Sequence, residues 1–248
     1  MKVEDINGVI ARLDSMIEWS QQKESRLGYF AATYRKVSLE VRRGIETNLF
    51  DDGERMNRIG TVFANRYFTA FDQYQAGDRP SRAWLLSFEA ASHWKPTVTQ
   101  HLILGMNAHI NLDLGIAVAR TVPADSLQDA RDDFNRINDI LARLIDEVQD
   151  QLAEIWPLSK RLDRVGGRKD EFLINFSLTK ARNAAWRVAQ RFVRLNDAGQ
   201  GAAIARLDAD VEKIGKLVLH PGLKLTATLA LVRLGERGAI PAVIEILK

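Results

Sequence analysis

Residues 98–119 read Val-Thr-Gln-His-Leu-Ile-Leu-Gly-Met-Asn-Ala-His-Ile-Asn-Leu-Asp-Leu-Gly-Ile-Ala-Val-Ala. By length and apolar content the stretch approaches a membrane-spanning helix. Asp113 alone, near the centre, would cost about 2.5–3.5 kcal/mol on insertion. Gln100, His101, Asn107, His109 and Asn111 add to that penalty, so a membrane span is rejected. What remains is a helix apolar nearly all round, which belongs in the core of a globular protein. The stretch therefore predicts a fold packed around one buried central helix.

Helical periodicity continues on both sides of it. Ile6, Val9/Ile10, Leu13 and Ile17 share one face, as do Leu27, Phe30, Tyr34, Val37, Val41 and Ile45 between about 25 and 49. Asp52 is placed to cap a third helix with the stripe Met56, Ile59, Phe63, Tyr67 and Phe71. A Gly-Asp-Arg-Pro turn at 77–80 precedes a short helix with Trp84, Leu85 and Phe88. Pro96 stands where a helix start tolerates proline. Pro123 and Asp125 open a long helix that Trp156-Pro157 breaks. Gly166 and Gly167 precede another, over about 169–195, and Asn196 to Gly201 reads as its stop and turn. Three short helices finish the chain, divided by His220-Pro221-Gly222 and by Gly235 to Pro241. No stretch alternates as a strand does. The expectation is an all-α protein, a single compact domain over residues 1–248 with about nine or ten helices. Residues 222–248 form a candidate C-terminal helical hairpin.

Composition narrows the function classes. The chain has 248 residues, no cysteine, 46% hydrophobic and 27% charged residues. This excludes a disordered chain, a disulfide scaffold and a cysteine-ligated zinc ribbon. The formal charge is +3, from 35 basic and 32 acidic residues. The densest basic runs are Lys160, Arg161, Arg164, Arg168, Lys169 and Arg182, Arg187, Arg191, Arg194. Acidic or apolar residues interrupt both, so they read as solvated helix faces and argue against a nucleic-acid partner. The N-terminus has no basic segment followed by an apolar stretch, so no signal peptide is expected. With no cysteine, a cytoplasmic location is the default expectation.

The polar residues of the central helix fall in two groups. At about 100° per residue, His101, His109 and Asp113 lie on one side. Gln100, Asn107 and Asn111 lie opposite. Gly105 and Gly115 leave gaps where another element can approach. A buried polar group without a partner costs on the order of 1–3 kcal/mol, so both stripes need partners, water or a ligand.

The string Leu104-Gly-Met-Asn-Ala-His-Ile-Asn-Leu-Asp-Leu114 resembles the signature of an uncharacterised helical family, a domain of unknown function. The resemblance extends to Phe63-Ala64, Tyr67-Phe68, Trp84, Gln100-His101, Asp133-Phe134, Ile137-Asn138, Arg182, Ala185-Trp186 and His220-Pro221. It implies one helical domain with the central helix as hallmark, and no established reaction.

A metal site is one reading of the first stripe. His101 and His109 are separated by about 12 Å of helical rise, too far to share an ion. His109 and Asp113 are one turn apart and form a two-ligand half-site. It would need a further ligand such as Glu46, Asp51, Glu89 or Asp133. The competing reading pairs Asp113 with His109, or with an arginine such as Arg66 or Arg182. A histidine beside a carboxylate is also a usable general base. No nucleophile elbow, phosphate-binding loop or dinucleotide fingerprint accompanies it. Asn138 to Asp146 is similar to the second magnesium motif of terpene cyclases, but Ala142 replaces the hydroxyl ligand and the aspartate-rich partner is missing.

Asn138 is expected to bond the amide stripe. Asn175, Thr179, Arg182 and Trp186 share one helix face, with Trp186 as core and Arg182 as a counter-ion candidate for Asp113. His93 and His220 read as local capping or turn residues. Two functions follow. One is an enzyme or binder of a small, mostly apolar molecule in an interior pocket beside the central helix. There His109, Asp113 and His101 are the candidate catalytic or anchoring groups, and Gln100, Asn107, Asn111, Asn138, Arg182 and Trp186 are binding residues. The other is a non-catalytic interaction protein whose buried polar helix only fixes register. The residues define no cofactor.

Overall fold

The computed structural model describes residues 2–156 and 178–248, and every regular element among them is helical. Ten helices follow in chain order: α1 (Ile6–Gln22), α2 (Leu27–Glu46), α3 (Gly53–Gln75), α4 (Arg82–Ala91), α5 (Val98–Thr121), α6 (Arg131–Ile155), α7 (Leu178–Phe192), α8 (Asp197–Leu219), α9 (Leu223–Gly235) and α10 (Ile240–Leu247). The protein is all-α, as the periodicity predicts. Gly166–Gly167, Asn175, the basic run 160–169 and the first part of the helix expected from 169 lie outside the described residues.

Short polar side chains start the helices. Asp5, Asp52, Ser81 and Asn196 each accept a backbone N–H of the first turn. Thr97 and Gln100 form a reciprocal capping box at the start of α5. Two boundaries differ from the sequence reading. Asn196 starts a helix instead of closing a turn, because its side chain accepts from Gly199 N–H at 2.9 Å. The segment from Asn196 to Gly201 is thus mostly the first turn of α8, a long helix and not a short one. The long helix after Pro123 begins later, at Arg131, after a 3₁₀ turn over Gln128–Ala130.

Helix α5 is central, packing against α2, α3, α4, α7 and α8. It is long and apolar enough to cross a membrane, but 83% of its apolar window is buried inside the protein. Both glycines work as spacers. A Cβ on Gly105 would run into the ring of Phe30, and one on Gly115 into the carbonyl oxygen of Ala185. Helices α2 and α7 can therefore close onto α5 only because these positions carry no side chain.

A buried apolar cluster runs from Ile6 to Leu247. The C-terminal segment divides: α10 docks Val243, Ile244 and Leu247 against α1, α2 and α6, whereas α9 has no buried residue.

The middle of α5 is not α-helical. Asn107–Leu114 winds as a π-helix, flanked by α-helical Val98–Met106 and Gly115–Thr121. Its i→i+5 ladder holds more residues per turn, so each residue rotates by less than the α-helical angle. The two polar stripes drawn on an ideal α-helix are therefore redistributed where His109, Asn111 and Asp113 sit.

Candidate functional site: the aromatic nest around His109

His109 is 3% exposed. Five aromatic rings surround it, contributed by three helices. Phe63 of α3 stacks on the imidazole at 3.5 Å between centroids and 11° between planes. Tyr34 of α2 meets it edge-on at 4.4 Å. Phe30 lies at 5.6 Å, and Tyr67 and Trp84 at 6.1 Å. Tyr34, Tyr67 and Trp84 are buried, while Phe63, stacked on the imidazole, is only half-buried. The i,i+4 spacing of Phe30/Tyr34, Phe63/Tyr67 and Trp84/Phe88 puts successive rings on one face of each helix. These stripes were legible in the sequence as core. That they converge on one histidine was not, because they sit on three separate helices.

Neither nitrogen of His109 has a hydrogen-bond partner. Burial, assisted by the nearby Arg66 charge, pushes its pKa well below the usual histidine value. The ring is therefore neutral, with one N–H donor and one acceptor both unused.

The expected pairing of Asp113 with His109 is not formed. Asp113 Oδ1 accepts from Arg66 Nε at 2.6 Å, and Oδ2 accepts from Trp84 Nε1 at 2.7 Å. Both carboxylate oxygens are taken by neighbouring helices, and the imidazole is left without a partner. Burial pushes the Asp113 carboxyl upward, and Arg66 and the Trp84 indole pull against that shift. Of the two arginines considered for Asp113, Arg66 makes the pair. Arg182 instead donates to Asn138 Oδ1 at 2.7 Å and to the Phe134 carbonyl.

The amide group of residues faces α8. Gln100 Nε2 donates to the Val218 carbonyl at 2.7 Å, and Asn107 Nδ2 to the Val211 carbonyl at 2.9 Å. Asn111 Nδ2 donates to Asn107 Oδ1 at 3.0 Å. Asn138 does not join this group, because Arg182 on the facing helix α7 takes its oxygen. Trp186 is core, packed at 4.9 Å against Phe134.

His101 lies outside the nest, edge-on to Tyr29 at 5.7 Å, with Nε2 unpartnered. Burial, with the charges of Arg26 and Arg233, pushes its pKa down to about 3.

The metal half-site gains no third ligand. Among the described residues no three His, Asp or Glu side chains converge to hold an ion. Asp133 caps the start of α3 through Asp51 N–H and Asp52 N–H. Asp51 pairs with Arg136, and Glu46 with Arg42. The resemblance of 138–146 to a magnesium motif fails for the same reason: Asn138 is held by Arg182, and Asp139 and Asp146 point to solvent.

No curated protein and no solved structure matches the chain. A family model matches residues 6–221, most of the chain, a span that takes in all of α1 to α8 with the nest and the central helix. The chain belongs to a family of unknown function, DUF5995.

Proposed function

We propose that the chain binds a small, mostly apolar molecule against the imidazole of His109. Phe63 is the movable cover, and the Arg66–Asp113 pair is a polar anchor at the edge. One observation carries this reading: both nitrogens of a buried histidine are unpartnered inside a nest of five aromatic rings. Each such group costs on the order of 1–3 kcal/mol when left unpaired, and an apolar ring at the position would avoid that. A ligand with an apolar body and one hydroxyl or carbonyl would satisfy the imidazole and keep the ring contacts. The π-helical turn beneath supports the reading, since such turns occur frequently at functional sites. Binding is favoured over acid–base catalysis, because Asp113 is committed to Arg66 and Trp84 and does not orient the imidazole.

A second reading rests on the opposite face of the helix. The hydrogen bonds from Gln100 and Asn107 to α8 stitch two helices together, as a purely structural core would.

Titration with phenol and with benzene separates the two. Phenol carries the hydroxyl that benzene lacks. The binding reading expects phenol to shift the ¹⁵N resonances of the His109 ring saturably. Phe63→Ala, which opens the cover, should tighten phenol about tenfold and leave benzene the weaker ligand. If neither protein shows a His109 shift, the binding reading fails.

A further inference from the structure

One group of charges takes no part in the nest. Arg182 of α7 is 5% exposed, and its guanidinium lies 4.2 Å over the Phe134 ring. Arg131, at the start of α6, lies 4.8 Å over the Trp186 ring and 5.9 Å from that of Phe134. Among the described residues all their acceptors are neutral. Arg182 donates to Asn138 and the Phe134 carbonyl, and Arg131 Nη2 donates to Asn183 Oδ1 at 2.9 Å. Arg131 Nη1 is buried with no acceptor. Among the described residues neither arginine has a carboxylate partner, although Asp129 and Asp132 flank Arg131 in sequence. Burial, assisted by the Arg131 charge, depresses the pKa of Arg182 to about 9. Two neighbouring guanidinium groups without a counter-ion are an expensive arrangement.

A groove of about 400 Å³ opens beside them. Gln128, Arg131, Asn183, Trp186, Arg187 and Gln190 line it. Among the described residues the lining holds two cations, three side-chain amides and an indole, with no acid. Its volume falls in the range of small-molecule sites. Arg187 is exposed at its rim.

We propose that this groove binds a small ligand through an oxyanion, a phosphate or a carboxylate. The Arg131 guanidinium supplies one cation from the groove lining, and Arg187 the second from the rim. Asn183 holds one arm of the Arg131 fork, which fixes the guanidinium plane for directional recognition. Gln128 and Gln190 are donors at the edges. The anion is the counter-charge that the Arg131–Arg182 pair lacks. This site is separate from the His109 nest and does not depend on it.

The test uses the full chain, titrated at fixed ionic strength with inorganic phosphate in one arm and succinate in the other. Binding is read by calorimetry and by the indole N–H resonance of Trp186. Saturable binding in at least one arm is expected, and the arm that binds identifies the oxyanion. Arg131→Lys keeps the charge but loses the fork, and should weaken binding about tenfold. Arg187→Gln touches only an exposed side chain, so it preserves the fold, and should weaken binding several-fold. No saturation in either arm overturns the proposal. So does binding that Arg187→Gln leaves unchanged, because the ion then sits elsewhere.

Discussion

Acidification from pH 7 to 5.5 is expected to remove about 2–3 kcal/mol of stability, well before the ordinary carboxylates titrate. The cause is the two buried histidines. In the unfolded chain each binds a proton near pH 6.5. In the fold His101 stays neutral down to about pH 3, and His109 is held well below its usual value. The unfolded state therefore binds more protons, and stability falls as pH drops through 6.5, at up to about 1.4 kcal/mol per pH unit for each ring. Asp113 and Glu236 act in the opposite sense. Burial raises both, so in the fold they take up protons above their unfolded values, which flattens the curve at lower pH. Asp133 restores the downward slope last. Its pKa is depressed, so its contribution is complete above its ordinary value of 3.8 and is lost as pH falls through the lower folded value. Urea denaturation at a series of pH values should show this loss between 7 and 5.5. His109→Phe and His101→Phe should each remove about half of it. A flat profile over that range would show that the rings are not held neutral.

Asp133→Ala is expected to cost about 3–5 kcal/mol, although the residue lies on α6, outside the central helix. Its carboxylate is 0% exposed. It accepts from Asp51 N–H at 2.7 Å, Asp52 N–H at 3.0 Å, Arg55 Nη2 at 2.8 Å and Arg136 Nη1 at 2.5 Å. One side chain of α6 thus fixes the α2–α3 connection and the start of α3, the helix that carries Phe63, Arg66 and Tyr67. Alanine leaves two backbone donors without their acceptor and takes the buried carboxylate from Arg55, which among the described residues keeps only the Asp129 carbonyl and the more distant Asp52. Asparagine keeps one good acceptor and should cost about half as much, since a hydrogen bond to a charged group is worth about 1.5–3 kcal/mol. Chemical denaturation of the two variants checks this. A loss under about 1 kcal/mol for alanine would mean that packing alone positions α3.

The helical class and the central helix were readable because they depend on local sequence. The apolar run of 98–119, the cap at Asp52 and the glycines at 105 and 115 all state what they do within a few residues. The Arg66–Asp113 pair was legible as one of several alternatives. The nest was not, because Phe30, Tyr34, Phe63, Tyr67 and Trp84 each look like ordinary core within their own helix. The π-helical turn was hidden for a deeper reason. Its residues are acceptable α-formers, and the winding is imposed by packing against α3, α4, α7 and α8. The His109–Asp113 pair fails for a tertiary reason, since Arg66 of α3 and Trp84 of α4 take both oxygens of Asp113. The groove at Arg131 shows the same limit: Gln128, Arg131 and Arg187 look like solvated surface until α6 and α7 come together.

The measurement that bears most directly on the role of His109 is the equilibrium stability of its apolar replacements at pH 7. His109→Phe keeps a flat ring for the Phe63 stack, and His109→Leu matches the imidazole volume more closely. A histidine retained for a ligand carries two unpaired polar groups, so removing them should leave the better variant at least as stable as the native chain, by up to about 2 kcal/mol. Phenol binding should be lost in both. If instead both replacements lose more than about 3 kcal/mol, the imidazole is holding the core together, and the account of His109 as a binding group is contradicted.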